Sequence, residues 1–253
     1  MIPLRDSIPT SRPPVVRNAL IGACTLTWLL QLTDPSGELV LQFGMVPARL
    51  TGDGGWRLGG GSGLYSFYRA YVHEWLTLLT CTFLHGGWLH FLGNMLFLWV
   101  FGDNVEERFG RLPFLCFYLG CGLAASAAHL VSAPGSTVPT IGASGAIAGV
   151  MGAYMFLYPR SRVLTLVPLG FLLLDVVLPA PFFLGYWFVL QLVQGAVDAG
   201  HASGVAWWAH IGGFAVGAAV AAGLRVSERL RPAPQSIVLT GRRFARSHRR
   251  RGL

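Results

Sequence analysis

Five stretches of this chain, at about 16–33, 85–102, 112–132, 143–158 and 205–225, are mostly apolar and come close to the roughly 20 residues a helix needs to cross a bilayer. No other feature restricts the fold as much. Hydrocarbon offers no hydrogen bonds, so each run must satisfy its own backbone as a helix. A sixth apolar run, from Val163 to Gly195, is too long for one crossing and is broken by Pro168, Pro179 and Pro181. It permits one span with an apolar lead-in, or two spans. Composition agrees: 53% of residues are hydrophobic and only 12% charged, outside the range of ordinary soluble domains.

Charge decides the count. The chain has no lysine, and nine of its 19 arginines follow Leu224. With six spans, Arg5, Arg12, Arg17, Arg108, Arg111, Arg160, Arg162 and the nine of the tail share one side, while Arg49, Arg57 and Arg69 lie opposite. Sixteen against three is the asymmetry expected of a cytoplasmic face; a seventh span would export the basic tail. The reading is an all-α membrane protein with a cytoplasmic segment 1–16, a six-span domain 17–226 and a basic cytoplasmic tail 227–253. The long first outer loop, about 34–84, mixes glycine-rich turns with aromatic runs and is expected to fold onto the membrane surface. Asp175 is expected near the interface. The tail is read as attracted to membrane lipids rather than to nucleic acid.

Chain-wide checks remove other classes. Cys24, Cys81, Cys116 and Cys121 form no CxxC pair and read as packing residues. Thr33-Asp34-Pro35-Ser36 offers no small-x-small cleavage site, so the first span is expected to be retained. His73-Glu74 does not extend to HExxH, and no cofactor or metal is called for.

Polar side chains inside spans cost free energy and need a reason. At about 1.5 Å of rise per residue, His90 lies roughly 20 Å and Asn94 roughly 14 Å from the inner boundary at Asp103. Ser144 lies about 24 Å from Arg160, and His210 about 22 Å from Arg225. Three spans therefore bring Ser, two His and Asn to similar depth, with His90 and Asn94 at i, i+4 on one face. Ser144, in Gly142-Ala143-Ser144-Gly145, starts a helix, where serine ordinarily serves as an N-cap. A single histidine in a span is ordinarily a packed residue. Against those readings, Gly145 and Gly149 on one span and Gly213 and Gly217 on another form small-xxx-small strips that allow close approach. If the strips face each other, His210 comes within reach of Ser144, as a base must.

These residues resemble the rhomboid intramembrane proteases. The similarity is carried by His85-Gly86-Gly87-Trp88-Leu89-His90-Phe91-Leu92-Gly93-Asn94, by Gly142-Ala143-Ser144-Gly145, and by Ala209-His210-Ile211-Gly212-Gly213 with Gly217. Phe101-Gly102-Asp103-Asn104-Val105-Glu106 adds support, and the match covers about 17–226. The resemblance implies a helical bundle with an outward-opening, water-filled site that hydrolyses peptide bonds of transmembrane protein substrates, and the short chain with its compact loops is expected to sit in a bacterial cytoplasmic membrane. It implies Ser144 as nucleophile, His210 as base, His90, Asn94 and the Ser144 N–H as oxyanion donors, and His85 as a brace between the first loop and the second span. Because no acid lies at a depth to orient His210, a dyad is expected rather than a triad.

Two departures stand out. Glu74-Trp75 is followed by Leu76 where many members carry arginine, and Ala148 stands where some place a tyrosine that stacks on the catalytic histidine. The fifth span, with Pro179, Pro181, Phe182 and Phe183, is a candidate lateral gate, and 198–204 a candidate cap. A transporter with the same polar residues as its pathway is disfavoured because the inner half offers no continuation. A client-binding relative without activity is disfavoured by the presence of both Ser144 and His210.

Overall fold

The computed structural model describes residues 1–51, 74–170, 172–197, 205–226, 230–231 and 236–239. Most of the glycine-rich part of the first loop, the candidate cap at 198–204 and most of the basic tail lie outside the described residues.

Helix α1 (Val15–Leu32) starts after Pro14, which supplies no side-chain cap. The open N–H groups of a helix start need acceptors, and α5 (Trp88–Phe109) provides one from a distance. Its Glu106 carboxylate accepts from the N–H groups of Val16 at 3.0 Å and Arg17 at 2.8 Å. Arg17 then turns back on α5, donating to the Trp99 carbonyl at 2.8 Å and lying 4.0 Å from the Trp99 ring centroid. This clasp joins the first two long helices at the end that carries most of the charge.

Between them come the short helices α2 (Glu38–Phe43), α3 (Pro47–Thr51) and α4 (Thr77–Thr80). Gly110, at φ +91°, reverses the chain into α6 (Arg111–Ser132), a left-handed turn that a side chain would resist. The chain then forms α7 (Ser144–Leu157), α8 (Ala180–Val197) and α9 (Trp207–Val226). Helix α7 is the hub: all its residues except Ser144, Met155 and Phe156 are buried. It packs chiefly on α9, and also on α6, α5 and α8. A helix apolar on every side belongs in such a centre.

Among the described residues, α1, α6, α8 and α9 are long and apolar enough to cross a membrane. Helix α7 has only 14 residues, and α5 carries Asp103, Glu106, Glu107 and Arg108 in its last two turns.

The all-α expectation is corrected by a three-stranded antiparallel sheet, β1 (Ile2–Asp6), β2 (Arg162–Leu169) and β3 (Leu172–Pro179), in the order β1-β2-β3. The apolar lead-in to the fifth span is this hairpin, turning at Gly170 with φ +60°. Val163, Thr165, Val167, Val176 and Val177 explain it, since β-branched side chains fit a pleated surface, and the prolines stop a helix from continuing. Asp175 pairs with Leu166 in the hairpin. The third strand comes from the segment ahead of α1, with Ile2 opposite Leu166 and Asp6 opposite Val163. Asp6 is pinned from two helices, accepting from the Tyr154 hydroxyl and from the Asn104 amide, both at 2.6 Å.

Candidate active site

The approach to α7 is irregular backbone held from outside. Met45 and Thr140 exchange N–H···O bonds of 3.0 and 2.7 Å, and the Gly142 N–H donates to the Cys81 carbonyl at 2.9 Å. Thr80 Oγ1 donates to the Phe43 carbonyl at 2.7 Å, tying α4 to the described part of the first loop. With these bonds made, the chain enters α7 with Ala143 at the cap position and Ser144 as the first helical residue. The Ser144 side chain caps nothing. Its Oγ lies 2.7 Å from Nε2 of His210 on α9.

What brings these two atoms together is the contact between their helices. A β-carbon on Gly213 would collide with the carbonyl of Gly145, and one on Gly217 with the carbonyl of Gly149. The two small-residue strips therefore do meet, backbone against backbone. Gly145 follows Ser144 and Gly213 lies one turn beyond His210, so this contact fixes the separation of the pair.

On the other side of Ser144 stands His90. The Gly86 N–H donates to its Nδ1 at 3.2 Å, so the neutral ring carries its proton on Nε2. Gly142, at φ +132°, keeps the space between them open: a β-carbon there would lie 2.7 Å from His90 Nε2 and 3.4 Å from Ser144 Oγ. Asn94 is one turn along the same face of α5, and its amide nitrogen is buried with no hydrogen-bond partner among the described residues. The N–H groups opening α7 lack intrahelical acceptors. A hydroxyl 2.7 Å from one imidazole nitrogen, with a second imidazole N–H across the gap at Gly142, is an arrangement that can serve acyl transfer through a tetrahedral oxyanion.

His85 stands between the first loop and α5, where the brace would lie. Its backbone is clasped by the Gln31 side chain of α1, which accepts from the His85 N–H and donates to the His85 carbonyl, both at 2.9 Å. Its buried ring meets the edges of His90 and Phe91, with centroids 5.4 and 5.3 Å apart. Any contact it makes with residues 52–73 lies outside the described residues.

Sequence reasoning missed the group on the far side of His210. Gln191 of α8, only 5% exposed, places Oε1 2.7 Å from His210 Nδ1. An acid at this depth would stand out by its charge, whereas Gln191 is an uncharged amide within an otherwise apolar run. Aromatic rings also flank the histidine despite Ala148: Trp187 of α8 lies 5.7 Å away, centroid to centroid, and Trp207 at the start of α9 lies 6.2 Å away.

Similarity to known proteins covers this same region. A family model described as the Rhomboid domain matches residues 72–227. Rhomboid protease GluP of Bacillus subtilis (strain 168) is 35% identical over 147 residues, 58% of this chain and 26% of that protein. RHOMBOID-like protein 12, mitochondrial, of Arabidopsis thaliana is 31% identical over 170 residues, 59% of this chain and 46% of that protein. Rhomboid protein 1, mitochondrial, of Saccharomyces cerevisiae is 31% identical over 101 residues, 38% of this chain and 29% of that protein. The chain spans less than half the length of each of these relatives.

Proposed function

Since the chain belongs to the rhomboid family and is a multi-pass membrane protein with four long apolar helices among its described residues, we propose that it is an intramembrane serine endopeptidase acting on transmembrane protein substrates. The observation that carries this reading is the 2.7 Å approach of Ser144 Oγ to His210 Nε2 beside the His90 Nε2–H. Ser144 attacks the scissile carbonyl as His210 takes its proton, and the carbonyl oxygen becomes an oxyanion. His90, Asn94 and the Ser144 N–H donate to that oxygen. His210 then returns the proton to the leaving amine, freeing it and leaving an acyl-enzyme. Water attacks the acyl-enzyme with His210 again as base, releasing the new carboxyl end and restoring Ser144.

The proposed topology has six spans, α5 and α7 adding to the four more uniformly apolar helices α1, α6, α8 and α9. Both termini face the cytoplasm of a bacterial cell and the site opens outward, as the arginine distribution favours. Both Ser144 and His210 are half-buried rather than sealed, which suits a reaction that consumes water. Helix α8 is the proposed lateral gate. It exposes Phe182, Tyr186, Val189 and Val193, yet rests on α5 through Phe183, whose ring stacks on Phe97 with centroids 6.2 Å apart.

Purified protein in liposomes, mixed with a membrane-anchored reporter, tests the reading. Cleavage within or beside the transmembrane segment of the reporter is expected. Absence of cleavage across reporters of varied sequence would transfer the site to client binding.

A further inference from the structure

We propose that Gln191 is the positioning residue that holds His210 in the tautomer able to accept the Ser144 proton; the inference rests on the protease reading above. Sequence motifs supply no acid for this task, and the structure supplies an amide. Gln191 Oε1 is 2.7 Å from His210 Nδ1, and His210 Nε2 is 2.7 Å from Ser144 Oγ. The three residues form one hydrogen-bonded line across α8, α9 and α7.

The direction of that line follows from its far end. Gln191 Nε2 lies 3.3 Å from the Trp187 carbonyl, one turn earlier on α8. A carbonyl only accepts, so the amide NH2 faces it and Oε1 faces the imidazole. Oε1 in turn only accepts, so His210 Nδ1 bears the proton and Nε2 presents its lone pair to the Ser144 hydroxyl. The flipped amide would donate to Nδ1 and force the proton onto Nε2. Ser144 would then accept a hydrogen bond from the histidine instead of giving up its proton. One backbone carbonyl thus selects the productive tautomer.

Burial strengthens the selection. Gln191 is only 5% exposed, so water has little access to compete for its amide. During reaction the Ser144 proton moves to Nε2 while the Nδ1 proton stays in place, so the transient imidazolium donates to Oε1 without further rearrangement. The proton later leaves from Nε2 to the amine, and the amide end is unchanged throughout. Helix α8 contributes Trp187 to the same arrangement, its ring flanking His210.

Two substitutions at Gln191 separate orientation from packing. Gln191→Leu removes the acceptor at similar size. Gln191→Glu keeps an acceptor that cannot flip into a donor when ionised. With purified protein in liposomes, kcat and KM for a membrane-anchored reporter are measured beside thermal unfolding. Gln191→Leu is expected to lower kcat by about 10²-fold, the lower end of what general-base catalysis contributes, with KM within about threefold. Gln191→Glu is expected to restore kcat to within about tenfold of wild type. A folded Gln191→Leu variant that keeps wild-type kcat overturns the inference, as does a folded Gln191→Glu variant no more active than Gln191→Leu. Wild-type protein that neither cleaves the reporter nor reacts with a fluorophosphonate at Ser144 overturns the protease reading itself, a result distinct from either of these.

Discussion

Gly213 of α9 lies so close to the carbonyl of Gly145 of α7 that no β-carbon fits between them. Each glycine is within three residues of one partner in the Ser144–His210 pair, so the helix contact and the chemistry are set by the same few atoms. Gly213→Ala inserts a methyl group into a full interface. Overpacking of this kind costs roughly 1–3 kcal/mol, and moving a catalytic group by about 1 Å can cost about 10²-fold in rate. Activity is expected to fall further than stability, and a thermal melt measured with reporter kinetics checks the order. Gly223, which has open space around it, is the matched control: Gly223→Ala should leave both unchanged.

In the proposed mechanism His90 and Asn94 act on the developing oxyanion rather than in substrate binding. Alanine at either position is expected to lower kcat by about 10- to 10³-fold while KM stays within about threefold. A change confined to KM would assign them to substrate recognition instead.

The N-terminal strand carries a pH dependence. Burial pushes the Asp6 carboxyl up to about 7, the Tyr154 hydrogen bond works against this, and the nearby Asp103 charge adds to it. The folded protein therefore holds a proton that the unfolded chain, with its ordinary carboxylate near 3.8, releases. Its contribution is full below about pH 4 and is lost as pH rises through about 7. Hydrogen exchange at β1 is expected to quicken between pH 4 and 7 relative to Asp6→Asn, after correction for intrinsic rates. A β1 that loosens on acidification, or parallel profiles in the two proteins, would contradict it.

If α8 is the gate, fixing it to α5 blocks entry without touching the chemistry. A disulfide replacing the Phe97–Phe183 contact is expected to suppress cleavage of a membrane-anchored reporter and to spare fluorophosphonate labelling of Ser144. Reduction should restore cleavage. Unchanged cleavage with the bond intact would remove α8 from the entry route.

The helices and the meeting of α7 with α9 were legible because hydropathy and glycine spacing report them directly. Gly145, Gly149, Gly213 and Gly217 are spaced so that one face of each helix is bare, and bare faces in a membrane seek each other. The hairpin was not legible. Between Val163 and Val177 the residues that favour a strand are also apolar, so they merge with the following span in any reading by hydropathy. Its pairing with β1 is more distant still, since nothing in Ile2–Asp6 names a partner some 160 residues away. The polar cluster was visible through its cost in lipid, yet Gln191 escaped because a neutral amide is a weaker signal than a charge. The direction of its hydrogen bonds depends on the Trp187 carbonyl, a backbone feature that side-chain types alone do not reveal.

The most direct test of the account compares wild type, Ser144→Ala and His210→Ala in liposomes with one membrane-anchored reporter, each variant first shown to be folded by its thermal melt. The account predicts cleavage by the wild type and its loss in both variants. Cleavage that survives Ser144→Ala would contradict the proposed nucleophile, and with it the mechanism.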